Sequence, residues 1–144
     1  MSSSVPYSIE NSAGRLVEAR VFDLRTNAEL ESYIADLAKV FRKVASVASP
    51  VLCADHRPVR VYPGPVADAL IANFQKLNTT IERVAILVAP SNAVLLLQLE
   101  RIVREAHYTK RKVFKEPAQA LAHLGESLNP GELSRARTFL AGFV

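Results

Sequence analysis

Tryptophan is absent from the 144 residues, methionine and cysteine occur once each, and there are only five glycines. A lone cysteine, Cys53, forms no internal disulfide, which excludes a disulfide-stapled scaffold and suggests a reducing, cytoplasmic setting. The longest apolar runs are Val84–Ala89 and Ala93–Leu97, whereas a membrane-spanning helix needs about 20 residues. The opening MSSSVPYSIE has neither a basic n-region nor an apolar h-region, so no secretory signal is expected. The five glycines build no Walker A loop, no GxGxxG turn and no GxSxG elbow. His56, His107 and His123 stand far apart, without cysteine or carboxylate at metal-ligand spacing. No nucleophile, base and oxyanion donor can be assembled from these residues. The expectation is no metal, no cofactor and no enzymatic activity.

What is present is an ordinary globular mixture, 49% hydrophobic and 22% charged, of a length that suits one domain. The formal net charge is +4, and the cations cluster. Between Arg101 and Lys115 lie Arg101, Arg104, Lys110, Arg111, Lys112 and Lys115 against Glu105 alone. Only Tyr108 and Phe114 could stack on bases there, and no nucleic-acid motif accompanies them, so nucleic acid is not an expected partner. A solvated helix end and an edge strand kept from aggregating by lysines explain the cluster more simply.

Strand and helix patterns alternate along the chain. Tyr7–Glu10 and Arg15–Phe22 flank the turn-rich Asn11-Ser12-Ala13-Gly14 and read as a hairpin. Thr26 with Glu29 forms a capping box ahead of Leu30, Tyr33, Ile34, Leu37, Val40, Phe41 and Val44 at helical spacing. Pro50–Asp55 is too short for a helix and apolar on both faces, as a central parallel strand should be. A loop with three prolines follows, and Pro65 starts a helix bearing Val66, Ala69, Leu70, Phe74 and Leu77. Glu82–Ala89 is a second buried strand, and Ser91 can cap a helix running to about His107. Arg111–Lys115 is a short strand, Pro117 opens a helix through Leu124, and Asn129-Pro130-Gly131-Glu132 starts a terminal helix. The predicted order is β-β-α-β-α-β-α-β-α-α. It describes a single α/β domain: a mixed, mainly parallel sheet behind a leading β-hairpin, helices packed on the sheet, and an extra C-terminal helix. Residues 1–6 read as a flexible tail, 7–126 as the domain, and 129–144 as the additional helix packed on the same domain.

Four stretches resemble the SpoIIAA-like family, within the STAS (anti-sigma-factor antagonist-like) and SEC14-like group. YSIENSAGRLVEARVFDLRTNAEL is similar to its opening hairpin and first helix, and VLCADHRPV to its central strand ending in Asp55 and Arg57. RVAILVAPSNAVLLLQLERIVREA resembles its apolar strand, small-residue turn and helix. KVFKEPAQALAHL resembles its basic-edged strand with Phe114 and closing helix with Ala120, Leu121 and Leu124. The resemblance implies a STAS-like fold and regulation through protein–protein contact. Anti-sigma-factor antagonists carry a regulatory serine just beyond the central strand, whereas residues 50–78 here contain no serine or threonine, and Tyr62 is their only hydroxyl. A phosphoserine switch of that kind is therefore not expected.

Asp55 at a strand end is also where receiver domains hold a phospho-acceptor. A receiver needs an acidic metal-binding pair after its first strand, and only Asp23 is available here. An Asp55 that bonds the amides or arginines of its own loop is the simpler reading. Arg57 and Arg60 ahead of a helix N-terminus could hold an anion, although the same side chains could simply solvate a proline-rich loop.

The expected partner-binding surface comprises Asp55, His56, Arg57, Arg60, Tyr62, Ser91 and Asn92, on the loops beyond the two central strands. Val94, Leu95, Leu96 and Leu97 exceed the single stripe, a little over ~100° wide, that a sheet can cover. Three things could cover the remainder: the terminal helix, a second subunit, or a lipid or other apolar small molecule. Leu95, Leu96, Leu97, Leu140 and Phe143 are the expected contacts for a homodimer or an apolar ligand. The reading is thus a non-catalytic intracellular regulatory or scaffolding domain, with SEC14-like lipid binding as the alternative.

Overall fold

The structure, a computed structural model, describes residues 5–143. Most of the expected tail lies outside the described residues. Pro6, at its end, is tied down: its carbonyl accepts from Phe22 N at 2.8 Å and Asp23 N at 3.1 Å.

Ten elements follow in the predicted order. They are β1 (Tyr7–Ala13), β2 (Leu16–Val21), α1 (Asn27–Ala45), β3 (Val51–Asp55), α2 (Gly64–Leu77), β4 (Arg83–Leu87), α3 (Ala93–Ala106), β5 (Arg111–Phe114), α4 (Pro117–Leu124) and α5 (Pro130–Ala141). The sheet order is β1-β2-β3-β4-β5, with β1 antiparallel to β2 and every other pair parallel. Each crossover steps one strand in the same direction, so right-handed connections lay α1, α2 and α3 on one face. The helices α4 and α5 lie across the other.

The hairpin turn is shorter than the sequence suggested. β1 runs on to Ala13, which pairs with Leu16, and the register shifts between Glu10 and Ala13 in a bulge. Asn11 Nδ2 binds the carbonyls of Gly14 and Leu16 at 3.0 and 2.8 Å, and Gly14 takes the left-handed φ of +50° that the tight reversal requires. Both capping boxes form, Thr26 with Glu29 and Asn129 with Glu132. The cap of α3 is Asn92 and not Ser91: its side chain accepts from Leu95 N at 3.0 Å. The amide is preferred because it also reaches the carbonyls of Val59 and Arg60, at 3.2 and 2.8 Å.

Two-residue alternation sorts the strand side chains into two cores. Val17, Ala19, Val21, Leu52, Ala54, Val84 and Ile86 face α1–α3 and meet Leu30, Tyr33, Phe41, Leu70, Leu95, Leu99 and Ile102. The opposite face is smaller. Leu16, Val51, Cys53, Ala85 and Leu87 meet Ala120, Leu124, Ala136 and Leu140 of α4 and α5. Glu18, Arg20 and Asp55 share the strand parity of that second set, so α5 covers charges as well as carbon.

The terminal helix therefore cannot cover the surplus apolar face of α3, since the sheet stands between them. Leu95 is wholly buried in the chain's own core, and Leu140 is buried in the second one. Neither is available as a dimer or ligand contact. Leu96 is half-buried, while Val94 and Leu97 are 64% and 67% exposed. Phe143 is half-buried against Arg20 and Arg57, whose guanidinium carbons lie 5.9 and 5.3 Å from its ring centre.

Candidate functional site

The carboxyl ends of β2, β3 and β4 lie side by side, and the loops that leave them form one rim. Open α/β sheets place binding residues at this end because the strands fix the loops there. The seven residues expected on this surface separate into a buried set and an exposed set.

Asp55 is fully buried at the end of β3. Arg57 binds both of its oxygens, Nε to Oδ1 at 2.8 Å and Nη2 to Oδ2 at 3.0 Å, and its backbone N–H donates to Oδ1 at 3.0 Å. Arg20 on β2 adds Nε to Oδ2 at 2.8 Å. Burial alone would raise the Asp55 carboxyl, but the bonds from Arg57 and Arg20 outweigh it and hold it below the usual carboxylate range. Each arginine has a second task. Arg20 Nη2 donates to Phe139 O and Arg57 Nη2 to Leu140 O, both at 2.6 Å. Two cations thus bind carbonyls of the last turn of α5, Phe139 O also accepting from Gly142 N at 3.1 Å, and the helix dipole there favours positive charge as well. Arg20 stacks on Phe139 as well, 4.2 Å from the ring centre. Arg57 is therefore turned inward, and the two-arginine anion site considered from the sequence is not assembled.

His56 and Tyr62 are buried on the other side of β3. Tyr62 Oη lies 2.7 Å from His56 Nδ1. Desolvation pushes the imidazole down to about 4 and the phenol well above its ordinary value, so both are neutral at physiological pH. The Tyr62 backbone is clamped to α3, its N–H donating to Gln98 Oε1 at 2.9 Å and its carbonyl accepting from Gln98 Nε2 at 2.8 Å. With Asn92 holding Val59 and Arg60, the loop from His56 to Pro63 has a fixed shape. Cys53, deeper in β3, is buried, and desolvation raises its thiol far from any reactive range.

The loop presents Arg60 and Val61 outward. A concavity of about 550 Å³ is lined by Phe22, Asp23, Arg25, Pro58, Arg60, Val61 and Pro63. A second, of about 470 Å³, is lined by Arg60, Val61, Ser91, Asn92 and Val94. Arg60 and Val61 stand between the two and make them one surface. Four large apolar side chains lie along it or one turn beyond: Phe22, 38% exposed; Val61, 49%; Val94; and Leu97. Arg60 has no ion-pair partner among the described residues, whereas Arg25 is paired with Asp23.

Of the seven expected residues, the structure places Arg60, Ser91 and Asn92 on this rim and turns Asp55, His56, Arg57 and Tyr62 inward. Phe22, Val61 and Val94 were missed. Two signals pointed toward Phe22 and Val94: the Val21-Phe22 pair breaks the alternation of β2, and Val94–Leu97 overfills one stripe. A separate space between the sheet and α1–α2, lined by Leu37, Phe41, Phe74 and His56 among others, measures about 10 Å³, the room of one water. Among the described residues, no three His, Cys, Asp or Glu side chains come together as a metal site. No described helix is long and apolar enough to cross a membrane.

Comparison of the chain with protein-family models, with curated proteins and with solved structures finds no match.

Proposed function

We propose that this protein is a non-catalytic regulatory or scaffolding domain that binds a partner protein through the rim formed by Phe22, Arg60, Val61, Ser91, Val94 and Leu97. One observation carries the reading. Four of the most exposed large apolar side chains lie on or one turn beyond this rim, Val61 on a loop held by Asn92 and Gln98, Phe22 after β2, and Val94 and Leu97 on α3. Exposed apolar side chains gathered at one end of a rigid scaffold mark interaction surfaces, and an unpaired arginine beside them suits an acidic residue of the partner. The STAS-like assignment remains part of the proposal. It is supported by the sequence resemblance and by the run of parallel β-α units behind an antiparallel hairpin. The titratable groups near the rim support a binding role over a catalytic one. Asp55 is doubly paired with arginine, and His56, Tyr62 and Cys53 are buried and neutral.

The test is affinity capture from native extract using wild type, Val61→Glu/Val94→Glu and Val47→Glu. Val47 is 88% exposed and lies just after α1, away from the rim. A specific partner held by wild type and Val47→Glu but lost by the double variant is the expected result. Equal recovery of every partner by all three overturns the proposal.

A further inference from the structure

The sheet has two edges, and they are finished differently. At β1 the bulge between Glu10 and Ala13 interrupts the ladder, and Tyr7 Oη is fastened to Asp36 and Ser32 of α1 at 2.6 and 2.7 Å. The β5 edge has no bulge and no proline within Arg111–Phe114. Its backbone orientation follows from the ladder. Val84 N–H donates to Lys110 O and Val88 N–H to Phe114 O, both at 2.9 Å, so Lys110, Lys112 and Phe114 turn their polar groups toward β4. Arg111 O, both backbone groups of Val113 and the N–H of Lys115 consequently face away from the sheet.

The charge beside this edge is sorted as well. Within the basic stretch, Arg101 is paired with Glu105 and Asp68, Lys110 with Glu82, and Arg111 is buried on Asn78 Oδ1 and Phe74 O at 2.7 and 3.2 Å. Arg104, Lys112 and Lys115 have no ion pair among the described residues. Between α3 and the edge lies a concavity of about 490 Å³, lined by Glu100, Val103, Arg104, Arg111, Lys112 and Val113.

We infer that β5 accepts an extended acidic segment of a partner protein as a sixth strand. The open groups of Val113 supply ladder bonds, and Val103 and Val113 receive an apolar side chain on the α3 side. Lys112, which shares Phe114's face of the strand, pairs with the alternate carboxylates, while Arg104 and Lys115 pair with carboxylates toward the two ends of the segment. A second copy of this chain is disfavoured as the occupant. Two β5 edges side by side would bring both sets of Arg104, Lys112 and Lys115 into one strip, and like charges across a strand pair repel. The inference concerns a different part of the molecule from the rim and does not depend on it.

The probe is a peptide of alternating glutamate and valine, added to the isotope-labelled full chain and followed by amide NMR, with a lysine–valine peptide as control. The expected result is that the Val113 and Lys115 amides shift and exchange more slowly with the glutamate peptide only. Arg104→Glu/Lys112→Glu weakens that binding by about tenfold or more. Val113→Pro abolishes it without removing a β4 bond, because the Val113 N–H points outward. Should Val113→Pro fail to fold, the charge-reversal pair decides. Four results overturn the proposal: no shift at millimolar peptide, equal shifts with the lysine peptide, shifts confined to other elements, or concentration-dependent self-association through Val113 without peptide.

Discussion

Asp55 and Arg57 lie a few residues from Arg60 and Val61 at the same end of the same sheet, yet the two groups are built for opposite ends. Around Asp55 every strong polar group meets another within the chain, and the last turn of α5 closes over them. Around Val61 apolar side chains and an unpaired arginine face solvent from a backbone that is itself firmly held. The charged cluster that looks functional in the sequence is the fastening of a helix. The prolines and valines that look like a connecting loop leave apolar side chains and an unpaired arginine exposed, at the surface proposed to bind a partner. A charge at a strand end is therefore informative about function only when its partners within the chain are known.

The comparison can be broken first at its buried half. Asp55→Ala leaves two largely buried guanidinium groups without their anion, and urea unfolding should show a loss of about 3–5 kcal/mol. Survival of full stability would mean that the cluster is ornamental.

The second effect is set by pH. The folded protein holds His56 neutral down to about 4, while the unfolded chain takes up that proton near the ordinary 6.5. Stability from this group is complete above about 6.5 and is lost as pH falls toward about 4. Between pH 7 and pH 5 the loss should be about 2 kcal/mol. His123 adds to it in the same direction. Burial lowers its imidazole, and Arg83 Nη1 at 3.2 Å disfavours a second cation. Asp55 does not offset the loss, since its carboxyl titrates below the usual carboxylate range. His56→Gln should flatten the pH profile; an unchanged profile would remove His56 from the account.

The third effect sharpens the role of α5. Glu132 joins the helix start to the hairpin, accepting from Arg15 N and Asn129 N, each at 2.9 Å. Glu132→Ala should cost about 1–2 kcal/mol and raise amide exchange in α5 ahead of α1–α3. Uniform exchange across both faces would show that α5 is no separate unit. The smallest effect belongs to the rim: Val61→Glu/Val94→Glu should stay within about 0.5 kcal/mol of wild type while losing the partner.

Much of the fold was legible because its signals are local. Capping boxes at Thr26 and Asn129, the apolar stripe of α1 and the proline starts of α2, α4 and α5 all lie within a turn or two of what they specify. The cap of α3 went one residue astray because Asn92 is chosen by carbonyls 32 and 33 residues away. The bonds from the Arg57 amide and side chain to Asp55 were legible as those of a strand-end aspartate with its own loop, but the long-range half of the cluster was illegible for the same reason. Arg20 is 35 residues from Asp55, and Leu140 O is 83 residues from Arg57. Composition also identified a surplus of apolar residues at Val94–Leu97 without saying which would be exposed. The sheet assigns Leu95 to the core and leaves Val94 and Leu97 outside.

Arg57 and Arg60, three residues apart on one loop, test the division between fastening and binding surface most directly. Urea unfolding of Arg57→Ala and Arg60→Ala, measured side by side at neutral pH, separates their roles. The account predicts a loss of about 2–3 kcal/mol for Arg57→Ala, which removes bonds to Asp55 and Leu140 O, and a change within about 0.5 kcal/mol for Arg60→Ala. Equal losses for the two variants, or a larger one for Arg60→Ala, would contradict it.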